Sequence, residues 1–174
     1  MPTEPMLQAA LLLLVCAAAI NDVATRRIPN RLLLAGLAGA LVLRLLSAAP
    51  GAALLDALAG AAVGLLLFLP FYLLRGMAAG DVKLMAVVGA FAGPRDAITI
   101  AVLAWCAGGV MALLLVLARG RLRLAVRNIV AVVRGALVPG MALPAAGSWT
   151  SAGAIPYGVA IAAGTIAVLV RQYA

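Results

Sequence analysis

Apolar stretches about as long as a membrane-spanning helix alternate with short polar connections along most of the chain. Because about 20 mostly apolar residues cross a bilayer, this pattern predicts an all-α fold, a polytopic membrane helix bundle of about six transmembrane helices. The fourth apolar stretch is short, and Gly93-Pro94 separates it from the fifth. The six helices are expected at residues 5–23, 32–47, 53–74, 82–92, 97–118 and 153–170.

Two later segments do not fit the spanning pattern. Residues 119–134 carry arginines at a spacing of four on one helical face and apolar residues on another, which predicts an amphipathic helix resting on anionic lipid. Residues 135–151 are apolar but are interrupted by Pro139 and Pro144. This second segment is either a re-entrant piece or a loop on the membrane surface.

Glycines four residues apart occur in the third helix, at Gly60 and Gly64, and in the fourth, at Gly89 and Gly93. Pairs with this spacing allow helix backbones to approach closely within a membrane. They are interpreted as packing positions and not as part of a functional site.

The composition excludes a soluble protein. Of the 174 residues, 67% are hydrophobic and 10% are charged, and the mean hydropathy is +1.20. A soluble domain needs more polar surface than this, so lipid is expected to solvate most of the surface. The length suits one bundle, which predicts a single transmembrane domain over residues 1–174. The basic excess lies between apolar stretches, and aromatic residues are few, so no nucleic acid partner is expected.

The basic residues predict the orientation of the bundle. The connections after the first, third and fifth helices carry three, two and five Lys or Arg residues, and six helices place all of them on one face. By the positive-inside rule that face is cytoplasmic, in a plasma membrane, with membrane lipids as partners. These residues are Arg26, Arg27, Arg31, Arg75, Lys83, Arg119, Arg121, Arg123, Arg127 and Arg134.

Two acidic residues stand out from the other acids. Asp22 ends the first apolar run and Asp81 begins the fourth, so the topology brings both to the same membrane face. A carboxylate close to hydrocarbon costs roughly 2.5 kcal/mol or more, and such residues usually serve function. Two adjacent carboxyls that share a proton can hydrolyse a peptide bond. The alternative is that the two acids form ion pairs with neighbouring Arg or Lys residues, and composition alone does not separate these interpretations.

The remaining acids and the cysteines have structural explanations. Glu4 is expected to be solvated, Asp56 to be a first-turn acid of the third helix, and Asp96 to cap the fifth helix. Cys16 and Cys106 lie inside apolar runs, and the chain has no histidine. Metal and Cys-His sites therefore have too few ligands, and neither a metal nor a cofactor is expected.

Local sequence around the two acids favours catalysis. Asp22-Val-Ala-Thr-Arg-Arg-Ile28-Pro29-Asn30 resembles the first signature of the type IV prepilin peptidases, and Ala79-Gly80-Asp81-Val82-Lys83-Leu84 resembles their second, of GxGD type. Ile155-Pro156-Tyr157-Gly158 is similar to a third, less specific family feature. The chain resembles the small form found with tight-adherence (Flp-type) pili and with archaeal preflagellins.

This resemblance implies an intramembrane aspartic endopeptidase with Asp22 and Asp81 as the catalytic pair. It also implies that the substrate is a prepilin-like precursor, cut on the cytoplasmic side after a short basic leader ending in Gly. Ala78 replaces the first glycine of GxGD, which leaves a non-catalytic assembly factor for a pilus or secretion system as the alternative. The chain lacks the loop with paired CxxC motifs, so methyltransferase activity is not expected.

Five residues near the acids are expected to support the site. Pro29 fixes its own φ and keeps Ile28 out of a helix, and Asn30 is expected to cap the second helix. Gly80 is expected to let the backbone bend beside Asp81. Lys83 attracts either an acidic residue near the start of the mature pilin or a phospholipid phosphate, and both options stay open.

Overall fold

A computed structural model describes residues 3–74, 76–120, 122–123, 126–127, 130 and 155–173, and five helices have defined bounds within this part of the chain. The helices are α1 Thr3–Thr25, α2 Asn30–Leu45, α3 Pro50–Leu73, α4 Ala79–Ala118 and α5 Tyr157–Tyr173. All regular secondary structure in the described part is helical, which confirms the predicted all-α fold. The structure divides the described residues into two compact units, Met1–Ala107 with Pro156–Ala174, and Gly108–Ile155.

The apolar surface of these helices identifies a membrane protein. In the part of the chain that the structure describes, α1, α3 and α4 are long and apolar enough to span a bilayer, whereas α2 and α5 have 16 and 17 residues. Large apolar side chains such as Leu13, Ile20 and Leu66 are exposed, as expected where lipid is the solvent. The chain is therefore a membrane helical bundle, and the number of six spans stays a prediction.

Helix α4 is broken at Gly93, where φ is 79° and ψ is 170°. This left-handed φ favours glycine, and the following Pro94 has no N–H to donate. The break separates residues 79–92 from residues 94–118, so the predicted boundary between the fourth and fifth helices at Gly93-Pro94 is confirmed.

A polar cluster lies beside this break. Arg44 of α2 forms an ion pair with Asp56 of α3 at 3.2 Å, and its Nη2 donates a 2.6 Å hydrogen bond to the Phe91 carbonyl. The expectation for Asp56 was wrong, because α3 begins at Pro50 and places Asp56 beyond its first turn. Asp96 accepts a 2.9 Å hydrogen bond from Gln172. We call this end of the first unit the Arg44 end.

The opposite end of the first unit holds Asp22 and Asp81, and we call it the carboxyl end. Helices α1 and α5 run antiparallel between the two ends, because Gln8 contacts Gln172 at one and Asp22 contacts Gly158 at the other. The first segment of α4 runs from the carboxyl end to Gly93, and residues 94–105 return, since Trp105 contacts Phe68 and Phe68 contacts Tyr157. The predicted amphipathic helix at 119–134 and the segment 135–151 lie wholly or largely outside the described residues.

The predicted close packing at the glycine pairs is confirmed. A Cβ atom added to Gly60 would overlap the backbone carbonyl of Gly89, and one added to Gly64 would overlap that of Met85. The backbones of α3 and the first segment of α4 are therefore in contact at these glycines, and this contact fixes the position of α4 along the axis of α3.

Substitution of Gly60 by Ala is expected to destabilise the protein by about 1–3 kcal/mol, because the methyl group meets backbone that cannot rotate away. The matched control is Gly39→Ala in α2, where an added Cβ has nothing within 4 Å. Removing a helical glycine at such an open position is expected to be neutral or slightly stabilising. Thermal unfolding in detergent measures the difference, and equal melting temperatures for the two variants would contradict the close contact.

Candidate active site

Asp22 lies near the C-terminus of α1 and is 6% exposed. Helix α1 ends at Thr25 because Arg26 adopts a left-handed φ of 56°, and the Arg26 N–H donates a 2.9 Å hydrogen bond to the Asp22 carbonyl. This is the single-bond form of the left-handed helix terminus. The chain therefore turns one turn after Asp22 and leaves its side chain inside the bundle.

Asp81 lies in the first turn of α4 and is also 6% exposed. Its N–H donates a 3.1 Å hydrogen bond to the carbonyl of Ala78, and its carboxylate interacts with the Ala78 backbone. An acidic side chain that reaches back to the residue before the helix is one half of a capping box. The start of α4 therefore fixes the orientation of Asp81.

The fold brings the two carboxyl groups together. Asp22 and Asp81 come from different helices, are both buried, and are close enough for their charges to interact. Lys83 is the basic residue nearest to Asp81 in the sequence, and its side chain leaves α4 about 200° around the helix from that of Asp81. Its Nζ instead donates a 3.3 Å hydrogen bond to Asn30 Oδ1.

The five residues that the sequence predicts to support the site also lie at the carboxyl end. Ile28 is non-helical, as predicted, and Pro29 takes the N-cap position of α2 with φ −63° and ψ 131°. The expectation that Asn30 caps α2 was wrong, because Asn30 is the first helical residue and α2 has no side-chain cap hydrogen bond. The Asn30 side chain accepts from Lys83 instead, since the helix start directs it towards α4.

Gly80 serves a different purpose from the one expected. Among the described residues, positive φ occurs only at Arg26, Gly93 and Gly120, so Gly80 does not provide a left-handed bend. It lies inside α4, where an added Cβ would meet the Ile28 side chain at 3.4 Å. Gly80 therefore brings the start of α4 into contact with the α1–α2 connection. The φ of Ala78 is likewise one that alanine adopts readily.

Gly158 is the site residue whose contact the sequence did not reveal. Its backbone N–H, in the first turn of α5, donates a buried 2.7 Å hydrogen bond to Asp22 Oδ2. An added Cβ would lie 3.0 Å from the same oxygen, so glycine is what allows this approach. The Pro156-Tyr157-Gly158 sequence at a helix start was the available signal, but its partner is 136 residues away.

Aromatic side chains form one wall beside the carboxyl pair. Phe68 of α3 is fully buried, stacks on Trp105 at 5.9 Å between ring centroids, and meets the Tyr157 ring edge-on at 5.9 Å. Tyr157 is also close enough to Asp81 for an electrostatic interaction. The rings make this side of the site less polar, and charge interactions are stronger in such surroundings.

The donor atoms present do not form a metal site in the part of the chain that the structure describes. No group of three or more His, Cys, Asp or Glu side chains gathers there. The arrangement that is present, two buried carboxyls with a peptide N–H on one of them, suits proton transfer.

Comparison with protein families identifies the family of this chain. Residues 9–113, more than half of the chain and including both Asp22 and Asp81, match the model of the type IV leader peptidase family. Comparisons with curated proteins and with solved structures find no match. The chain therefore belongs to the type IV leader peptidase family and is a membrane-embedded peptidase.

Proposed function

We propose that this protein is an aspartic endopeptidase that uses Asp22 and Asp81 to remove a short basic leader from type IV prepilin-like precursors. The observation that carries the proposal is the meeting of these two buried carboxyls, one from each signature motif, at one end of the bundle. The matched family supports peptide hydrolysis, and the motif pattern supports the prepilin class of substrate.

The contacts of the pair suggest separate roles. The Gly158 N–H and the N-terminus of α5 stabilise negative charge on Asp22, which makes Asp22 the ionised base. Because two close carboxylates repel each other, Asp81 then holds the shared proton and donates a hydrogen bond to the scissile carbonyl oxygen.

Hydrolysis follows from these roles. Asp22 takes a proton from water as the water oxygen bonds to the carbonyl carbon, and the Asp81 proton stabilises the developing oxyanion. The C–N bond then breaks as a proton from the carboxyl pair passes to the leaving nitrogen. The products are the leader with a new carboxyl terminus and the mature chain with a new amino terminus.

The charge distribution supports cleavage at the cytoplasmic face of the plasma membrane. Arg27, Arg31 and Lys83 are exposed at the carboxyl end of the described bundle. Positive residues that flank membrane helices mark the cytoplasmic side. The proposed site thus faces the compartment in which a leader is still attached to its precursor.

Ala78 gives no reason to prefer the non-catalytic assembly factor. It is exposed, lies directly before α4, and has a φ outside the left-handed region, so its position does not require glycine. Its backbone carbonyl and its interaction with the Asp81 carboxylate are available from any residue.

The experiment is cleavage of one pilin-like precursor by the purified protein in lipid vesicles, followed by mass spectrometry of both products. We expect loss of the leader after its final Gly and a mature terminus without a methyl group. Vesicles without the protein, and a precursor with that Gly replaced by a bulky residue, are the controls. An intact precursor after prolonged incubation would refute the proposed activity.

A further inference from the structure

An apolar groove with a basic rim lies on the side of α4 that faces away from the carboxyl pair. Side chains of α2, α3 and the first segment of α4, including Leu33, Leu37, Ala61 and Ala86, enclose a cavity of about 430 Å³. Its two polar lining residues are Asn30 and the exposed Lys83, joined by the 3.3 Å hydrogen bond. The groove is thus polar at one end and apolar along the rest.

The groove changes from polar to apolar in the same order as a membrane does from its surface to its interior. Asn30 and Lys83 lie at the carboxyl end, and the α2 wall continues from Asn30 to Leu37 towards the middle of the bundle. Seven residues of helix span about 10 Å. With the carboxyl end at the membrane surface, as in the proposed function, the groove begins at that surface and continues among hydrophobic side chains, as a lipid molecule does.

The rim has the charge and the donors that an anionic headgroup needs. Lys83 supplies an ammonium group, and the exposed Arg31 follows Asn30 in the first turn of α2. Pro29 at the N-cap of α2 makes no side-chain cap hydrogen bond. The N–H groups of Leu32 and Leu33 donate to the Pro29 carbonyl, and the N–H groups that precede them in a helix have no intrahelical acceptor. A helix start beside a cation favours phosphate.

From these observations we propose that the groove binds an anionic phospholipid, with the phosphate at Lys83 and one acyl chain along Leu33, Leu37, Ala61 and Ala86. A substrate segment is the less suitable occupant. Lys83 and Asp81 project from α4 about 200° apart, so α4 stands between the groove and the carboxyl pair. The bound lipid would hold the start of α4 against α2. The start of α4 is the segment that orients Asp81.

Native mass spectrometry of the protein in detergent tests this proposal, with equal amounts of phosphatidylglycerol and phosphatidylcholine of identical chains. We expect preferential retention of phosphatidylglycerol, reduced about fivefold in Lys83→Gln, the effect of one basic residue near an anionic surface. Lys83→Arg is expected to restore it. The matched control is Arg171→Gln, an exposed cation on α5 that does not line the groove. Inorganic phosphate alone is not expected to displace the lipid, because it has no acyl chain.

A second pair of variants tests the apolar part. Ala86→Phe fills the groove and is expected to lower lipid retention, whereas Ala59→Phe adds the same ring at an exposed position of α3 outside it. Equal retention of the two lipids, or equal losses in Lys83→Gln and Arg171→Gln, would overturn the proposal. Displacement of the lipid by a prepilin-like precursor would also overturn it, since the groove would then belong to the substrate.

Discussion

Asp22→Asn and Asp81→Asn are each expected to reduce precursor cleavage by about 10²–10⁴-fold, the range typical of losing a general acid or base. An amide at position 22 cannot accept a proton from water, and an amide at position 81 cannot supply the shared proton. Both variants are expected to insert and fold, because Asn has nearly the shape of Asp and its amide oxygen can still accept the Gly158 N–H. Mass spectrometry of the precursor after a fixed time measures the loss.

Asp96→Asn is the matched control for these two substitutions. Asp96 lies at the Arg44 end, accepts a hydrogen bond from Gln172, and does not contact the carboxyl pair. Its replacement is expected to leave cleavage within about twofold, as for a surface change away from the site. Rapid cleavage by both Asp22→Asn and Asp81→Asn would rule out the aspartic mechanism and would require a peptidase mechanism that uses other residues.

The sequence predicted the helices well because lipid imposes a simple rule. Each predicted spanning stretch overlaps a helix or helix segment of the structure, and the glycine and proline at 93 and 94 marked the break in α4 correctly. These features depend on local chemistry, namely apolar length, a residue that tolerates positive φ and a residue without an N–H.

Contacts between distant parts of the chain were harder to predict. Asparagine commonly caps helices, yet the packing of α4 places Lys83 where it donates a hydrogen bond to the Asn30 side chain. Asp56 was assigned to its own helix dipole, yet it pairs with Arg44, whose position depends on how α2 packs on α3. A sequence shows which groups need partners, and only the packing of helices selects those partners.

The acidic pair depends both on local sequence and on contacts between distant parts of the chain. Its members could be identified from composition and topology, since few acids lie near hydrocarbon and both belong to one face. The group that holds Asp22 in place could not, because it is a backbone N–H with no side chain to mark it. At position 158 the informative feature is that glycine has no side chain, since an added Cβ would lie 3.0 Å from Asp22 Oδ2.

Gly158→Ala is expected to lower the turnover rate about tenfold to a hundredfold, because small displacements of a reacting group carry penalties of this size. The new Cβ would lie 3.0–3.3 Å from Oδ2, Cβ and Cγ of Asp22, so the carboxyl group must move by a few tenths of an ångström. The hydrogen bond from the Gly158 N–H to Asp22 Oδ2 would lengthen with it. We expect kcat to fall with little change in KM, since the substrate still meets the same surface.

Gly39→Ala provides the comparison, because it adds the same methyl group to a helix at a position with open space around it. If Gly158 merely helps α5 pack, its substitution should lower the melting temperature and leave kcat of the folded fraction intact. If Gly158 positions Asp22, kcat falls at full folding, and Gly158→Ala adds little further loss to Asp22→Asn in the double variant, since both act through one carboxyl group. If folded Gly158→Ala cleaves the precursor as fast as Gly39→Ala does, then Gly158 of α5 does not position Asp22 for catalysis.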